Sequence, residues 1–491
     1  MIHPRLYQSK GVHDIRITNK SGHKQIIWSC ATGGGKTIVG ADITHRAIQK
    51  GNHVLWLVHR EEILNQTVKK LVLFGENPGI IQGNDHMKNS AVHVAMVQTL
   101  SRRLDFFKKN KLLSPIVISD ECHHGCAPQW LMIFQAIKEI YPQALIIGQT
   151  ATPIRGDNIG LSSAGYTSLI QGPQYMDLLN PDYDGKVYLS EPVVFYSPLT
   201  FRLSKAKSKK RNKDFDPTTE EQIFGEKIVI NNCIDLYNDF FAGAPAIIFG
   251  ASVNDCLNVT AAMRATGWSG GTVYDGMDSE ERRDYLDGLS TGKYNFLCSY
   301  DILGEGVDIG LVAGCIKRRR TYSLGIEMQQ NGRGSRQYPG KKYNIIVDQC
   351  GNSLIHGHPL TRREWNLEGI IKTKVEKEIK MIVCQFCGAM LQGNPSNCPF
   401  CGERLKQESF SDETIKEIHA PMEILPAPAF TGAKEEAEIK EFHPEYQESE
   451  IVNRISTGNL SSYGRLSELA KMIGKDDKWT SLVWRKYHAG N

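Results

Sequence analysis

The chain has 491 residues, 41% of them hydrophobic and 23% charged, an ordinary composition for a soluble globular protein with room for about three domains. A formal net charge of only +4 excludes a global field that would draw in nucleic acid, so any such surface must be local. Apolar runs such as Val54–Val58 are far too short to span a bilayer, and Met1–Arg5 lacks the apolar core of a signal peptide, so the expected location is the cytoplasm.

Strand-like runs alternate with helical patterns from the start to about residue 185. The expected strands are Gln25–Trp28, Val54–Val58, Val92–Met96, Ile116–Ser119 and Leu145–Gly148. That alternation predicts a parallel sheet covered by helices, with ligands at the carboxyl ends of the strands. After the first strand comes CATGGGKT, Cys30–Thr37. A glycine-rich turn between strand and helix points backbone N–H groups at a polyphosphate. Gly33, Gly34 and Gly35 form the turn, Lys36 reaches the β- and γ-phosphates, and Thr37 holds Mg²⁺. Cys30, another small residue, stands where the pattern usually has Gly or Ala. Upstream, the Gln8 amide is suited to pairing with an adenine edge.

Each later strand ends in polar residues. His59-Arg60 follows the second, where Arg60 meets a phosphate or a solvated helix start. Gln98-Thr99 follows the third, and Thr99 is a phosphate candidate. Asp120-Glu121-Cys122-His123 follows the fourth. An acidic pair at a strand end suits a metal-binding Asp120 and a water-polarising Glu121. Cys122, His123, His124 and Cys126 crowd one short turn, unlike tetrahedral metal sites built from separated pairs. Thr150 and Thr152 follow the fifth strand, placed to hydrogen-bond the acidic loop and a neighbouring domain.

Residues 186–245 read as a transition that includes the basic run Arg202–Lys213, a solvated insertion or a phosphate contact. A second α/β pattern follows: strands at Ala246–Phe249, Gly271–Tyr274, Tyr294–Cys298 and Asn344–Val347, with helices at Ser252–Arg264 and Ser279–Leu289. It has no P-loop. Lys317–Arg320 reads as a local basic cluster, facing either solvent or nucleic acid. Cys384, Cys387, Cys398 and Cys401 give C-x2-C-x10-C-x2-C, a spacing for structural tetrahedral Zn²⁺ with no open position; the other eight of the 12 cysteines read as buried thiols. An acidic, proline-bearing linker follows. The last stretch carries Leu466, Leu469, Ala470 and Ile473 at near-helical spacing, then Trp479, Trp484 and Tyr487 among basic residues. It reads as a docking helix or core element more than a base-stacking one.

The P-loop, the DECH acid pair and the TAT triplet, in this order, resemble the motor of superfamily 2 helicases over residues 1–350. Gln329–Arg336 is similar to that family's QxxGRxxR motif and Leu303–Asp308 to its fifth motif. The resemblance implies that Gln8 reads adenine and that Thr150, Thr152 and Gln329 couple the ATP state to nucleic acid. It implies that Arg60 and Thr99 meet strand phosphates and that Gly306 and Asp308 lie near the ribose and the domain interface. Arg333 and Arg336 become fingers reaching the transferring phosphoryl group from a facing domain. With Gly351-Asn352, His356–Pro359 and the cysteines that follow, the order resembles bacterial RadD-type helicase-like ATPases, a phage version included.

The expected fold is α/β: two tandem RecA-like parallel-sheet domains (1–188 and 189–375), a zinc ribbon (380–405), a linker (406–450) and a helical tail (451–491). The expected function is an ATP-dependent nucleic-acid helicase or translocase using ATP, Mg²⁺ and Zn²⁺, acting on DNA rather than RNA in repair, recombination or replication. A protein partner would dock on the ribbon or tail, and no membrane is involved. The alternatives are a duplex translocase that does not separate strands and a non-catalytic nucleic-acid scaffold.

Overall fold

The structure, a computed structural model, describes residues 4–83, 89–155, 160–180, 186–196, 224, 227–304, 309–369, 381–384, 389–392, 395–400 and 402–405. The basic run 202–213, Gly306, Asp308, Cys387, Cys401, the linker and the tail lie outside the described residues.

The first lobe is a seven-stranded parallel sheet. Its strands are β1 (Gln25–Ser29), β2 (Val54–Val58), β3 (Gly79–Ile81), β4 (Val92–Met96), β5 (Ile116–Asp120), β6 (Leu145–Thr150) and β7 (Ser168–Gln171), in spatial order β3-β4-β2-β5-β6-β1-β7. Alternating side chains feed two cores. Ile26, Trp28, Val54, Trp56 and Val58 pack with helices α1 (Leu6–Lys20), α2 (Lys36–Ile48) and α3 (Glu61–Leu73). Ile27, Leu55, Leu57 and Val117 pack with α4 (Val97–Arg102), α5 (Leu104–Lys109) and α6 (Pro128–Ile140) on the other face. Strands buried on both faces read as continuous apolar runs, which is why the sequence exposes them. A short helix α7 (Tyr175–Leu179) completes the lobe.

The second lobe is a six-stranded parallel sheet in order β10-β11-β9-β12-β13-β8. The strands are β8 (Glu191–Tyr196), β9 (Ala246–Phe249), β10 (Gly270–Val273), β11 (Phe296–Ser299), β12 (Gly314–Lys317) and β13 (Tyr343–Asp348). Helices α8 (Lys227–Phe240), α9 (Val253–Ala265), α10 (Ser279–Thr291), α11 (Leu324–Gly332) and α12 (Asn352–His356) accompany it. Ser252 caps α9 by accepting from the Asp255 N–H at 3.0 Å, and Ser323 caps α11 by accepting from Ile326. β8 falls in the segment read from the sequence as a transition. Its whole length pairs with β13, about 150 residues later, a partner that local patterning does not reveal.

The cluster Lys317–Arg320 is a second departure from the sequence reading. Lys317 and Arg318 are fully buried, and Arg319 pairs with Asp301 and lies over the Tyr300 ring. Arg318 pairs with Asp255 at 2.6 Å and Lys317 with Glu327 at 2.5 Å. Buried carboxylates, not solvent or nucleic acid, meet those first two charges.

An antiparallel hairpin, β14 (Met381–Val383) with β15 (Met390–Gln392), packs Ile382, Cys384, Leu391 and Cys398 into the second lobe's core beside Phe195 and Phe240. Two turns there share one closure: Cys384 N–H donates to the Ala389 carbonyl, and Cys398 N–H to that of Glu403, both at 2.8 Å. Among the described residues no helix is long and apolar enough to cross a membrane.

Candidate active site

The P-loop follows β1 directly. Gly33 and Gly35 take φ of +83° and +78°, a region open to glycine and strained for other residues. Space is equally restrictive at Gly34, where an added Cβ would lie 2.4 Å from the Cys30 sulfur. Gly35 is the residue before α2, so Lys36 and Thr37 open the helix with its N–H groups and positive dipole end directed at the turn. Burial pushes the Cys30 thiol up to about 12, so it packs as a small apolar residue.

Asp120 ends β5, and Glu121 follows it with φ +46°. Both are buried. Lys36 Nζ stands 3.9 Å from Glu121 Oε1. Burial, then the neighbouring Glu121 charge, raises the Asp120 carboxyl to about 7, with Lys36 pulling the other way. A buried acid pair held against one lysine is the donor set a divalent cation satisfies, and the Thr37 hydroxyl lines the same space.

The second lobe closes that space. Arg333 caps α11, and Arg336 lies on the loop beyond it; with Lys36, Thr37, Asp120 and Glu121 both line a cleft of about 630 Å³. A volume of that size suits a nucleoside triphosphate. Arg333 Nη2 donates to the Gly304 carbonyl at 2.8 Å. The loop that carries Arg333 and Arg336 is fixed by the segment joining the lobes: Ser190 N–H donates to Ser335 O at 2.7 Å, and Gln337 Nε2 to Leu189 O at 3.1 Å.

The Gln8 amide lies at the cleft's edge and is engaged within the protein. Its Nε2 donates to Gly34 O at 3.2 Å, and its Oε1 accepts from the Arg5 N–H at 2.8 Å. Arg5, Tyr188, Gln66, Thr67, Lys70 and Gln337 also line the cleft and were missed by motif reading. Arg5 lies 4.1 Å over the Tyr188 ring. Arg60 and Thr99 are not in the cleft. Arg60 Nη1 donates to Ile302 O of the second lobe at 3.3 Å, and the Thr99 hydroxyl accepts from Gly83 N–H at 3.1 Å.

Residues 1–155 match the family profile described as type III restriction enzyme, res subunit, and residues 229–337 match the helicase conserved C-terminal domain. A 51.5 kDa protein of a Lactococcus phage is 28% identical, over 80% of this chain and 79% of the relative. A candidate mitochondrial ATP-dependent helicase, irc3 of Schizosaccharomyces pombe, is 27% identical over 70% of this chain. The match spans only 57% of that yeast protein's length. A fragment of a candidate HsdR subunit of a Vibrio vulnificus type I restriction enzyme shares the fold, with a TM-score of 0.55 at 20% identity, covering 76% of this chain and 68% of that one. The chain belongs to the superfamily 2 helicases. It is thereby one of a family of nucleic-acid-dependent ATPases.

In this helicase the TAT triplet links the acid pair to the second lobe. Thr150 Oγ1 donates toward Glu121 Oε2 at 3.4 Å and accepts from Thr152 N–H at 3.1 Å. Thr152 faces Gly325 of α11, where an added Cβ would lie 3.5 Å from its hydroxyl. Gln329 is buried on the same helix. Cys384 and Cys398 are both buried in one core cluster.

Proposed function

We propose that the protein is an ATP-driven helicase or translocase acting on DNA, in repair, recombination or replication. One observation carries the reading: the P-loop lysine, the acid pair and two arginines of the facing lobe line a single cleft. Lys36 and the P-loop N–H groups would hold the triphosphate, and Thr37 and Asp120 would hold Mg²⁺, which would supply charge neutralisation at the phosphates. Glu121 takes the proton of the attacking water. Arg333 and Arg336 meet the charge that develops on the transferring group. Because these groups belong to two lobes, hydrolysis and release change how the lobes meet, and Thr150–Thr152 passes that change to α11.

Arg60 and Thr99, at the carboxyl ends of β2 and β4, are the proposed strand-phosphate contacts. A structural zinc site is proposed at Cys384, Cys387, Cys398 and Cys401. It is supported by the C-x2-C pairs and by the matching closures at Cys384 and Cys398. Metal analysis of the purified protein is expected to find about one zinc per chain, and its absence overturns this part.

The test is ATP turnover titrated with single- and double-stranded DNA and RNA, beside a strand-displacement assay. Stimulation by DNA is expected, with Lys36→Ala inactive and Arg336→Ala slower by ~10³-fold. Turnover indifferent to nucleic acid, or an Arg336→Ala variant at wild-type rate, overturns the reading. Stimulation without displacement assigns translocation rather than unwinding.

A further inference from the structure

The proposed reaction leaves one wall of the cleft without a role. Helix α3 contributes Ile63, Gln66, Thr67 and Lys70 to the lining. Their spacing is i, i+3, i+4, i+7, a single helical face turned toward the triphosphate space. Two members of that face look unfinished. The Thr67 side chain is buried, at 1% exposure, and its hydroxyl has no hydrogen-bond partner among the described residues. Leaving a buried hydroxyl unpaired is destabilising unless a ligand satisfies it. Lys70 is half-buried, and no carboxylate pairs with it among the described residues. Burial, then the positive charge of Arg336, holds its pKa below the ordinary lysine value. Two cations from different lobes, Lys70 and Arg336, thus line one partly desolvated cleft.

We propose that Lys70, with the Thr67 hydroxyl beside it, binds the γ-phosphate end of the nucleoside triphosphate, across from Arg336. The assignment to that end follows from Lys70 and Arg336 lining the same cleft. Arg336 is the proposed finger at the transferring phosphoryl group, and Lys70 lies near enough for that charge to lower its pKa. A trianionic γ-phosphate between them turns a repulsion into two charge-assisted contacts. Lys70 would thereby favour ATP over ADP and draw the lobes together only around the triphosphate.

This inference rests on the ATPase reading, and the experiment separates the two. Full-length wild type, Lys70→Ala, Lys70→Arg and Lys69→Ala are compared for equilibrium binding of AMP-PNP and of ADP, each with Mg²⁺. Lys69 is exposed on a neighbouring face of α3. Lys70→Ala is expected to weaken AMP-PNP by about tenfold or more, the scale of one charge-assisted hydrogen bond, and to leave ADP within about twofold. Lys70→Arg, which keeps the charge and the fold of the helix, is expected to retain most of the preference, and Lys69→Ala all of it. Unchanged AMP-PNP binding by Lys70→Ala overturns the inference, as does an equal loss for both nucleotides. A wild type that binds neither nucleotide overturns the ATPase reading and this proposal with it.

Discussion

Gly332 shows how little room the closed cleft leaves at single positions. An added Cβ there would lie 2.4 Å from the Thr32 Cβ, so a methyl group on the finger helix would strike the P-loop of the other lobe. Gly332→Ala is expected to lower turnover at least about tenfold while nucleotide still binds the P-loop; steady-state rates beside AMP-PNP affinity check this. His358 gives a second prediction. Burial, with the charge of Lys317 adding to it, lowers its pKa to about 4, and its Nδ1 accepts from the Leu360 N–H at 3.2 Å. The unfolded chain takes up that proton near pH 6.5, the native state only near 4. The native advantage is therefore complete above 6.5 and is lost as pH falls from 6.5 to 4, on the order of 3 kcal/mol. The thermal midpoint should fall across that window, and fall less in His358→Gln. Much of the cleft lining was legible at this scale: residues of GGGKT, the acid pair and the two arginines, singled out by their order in the chain, line one cleft. Lys70 and Thr67 were not. A polar stripe at helical spacing reads as a solvated face until the opposite lobe is known to cover it.

At the scale of elements, α11 is held by charges that the sequence presents as surface. Lys317 Nζ, on β12, donates to Glu327 Oε1 at 2.5 Å, to Asn331 Oδ1 at 3.1 Å and to Ser353 Oγ at 3.3 Å. Asp348, ending β13, accepts backbone N–H bonds from Cys350, Gly351, Asn352 and Ser353. Burial works against both charges. Even so, Asp348 and Glu327 together raise the Lys317 pKa, and Lys317 with the donors around it lowers that of Asp348. This network explains the Gly351-Asn352 pair, which motif reading left without a role. Gly351 has φ +77°, and Asn352 Oδ1 accepts from Thr321 N–H at 3.0 Å, tying α12 to the loop before the finger helix. Asp348→Ala leaves four N–H groups and a buried ammonium short of partners. It is expected to cost about 3–5 kcal/mol, seen as an early-melting second lobe in calorimetry, with Asp348→Asn intermediate. No residue count or period could have signalled this, since a run of Lys and Arg is buried only when distant carboxylates happen to meet it.

Across the whole molecule, the two parallel sheets followed from alternation and apolar runs, but the way the lobes are tied did not. After α12 the chain leaves the second lobe and crosses to the first. The Arg363 carbonyl accepts from Gln171 Nε2 at 2.9 Å and Gln174 Nε2 at 2.7 Å, and its N–H donates to Gln174 Oε1 at 2.9 Å. Arg362 pairs with Asp177, and Ser162 N–H donates to Leu367 O at 3.0 Å. Trp365 packs between Ile154, just past the TAT triplet, and Leu324, the first residue of α11. The crossing therefore packs at the junction between the segment after the TAT triplet and the start of α11. On the proposed mechanism, a tie of this kind would limit how far the cleft opens after hydrolysis and would keep Arg336 near the next triphosphate. Gln174→Ala removes the side chain that both donates to and accepts from Arg363, and it sits outside the cleft that holds nucleotide. It should leave ADP affinity within about twofold, yet widen the distance between labels on the two lobes in the ADP state and lower DNA-stimulated turnover several-fold. Trp365→Ala, which empties the apolar contact instead, should do both more strongly because a buried Trp typically contributes about 3–5 kcal/mol. Unchanged inter-lobe distances in both variants would mean that the tie is only packing.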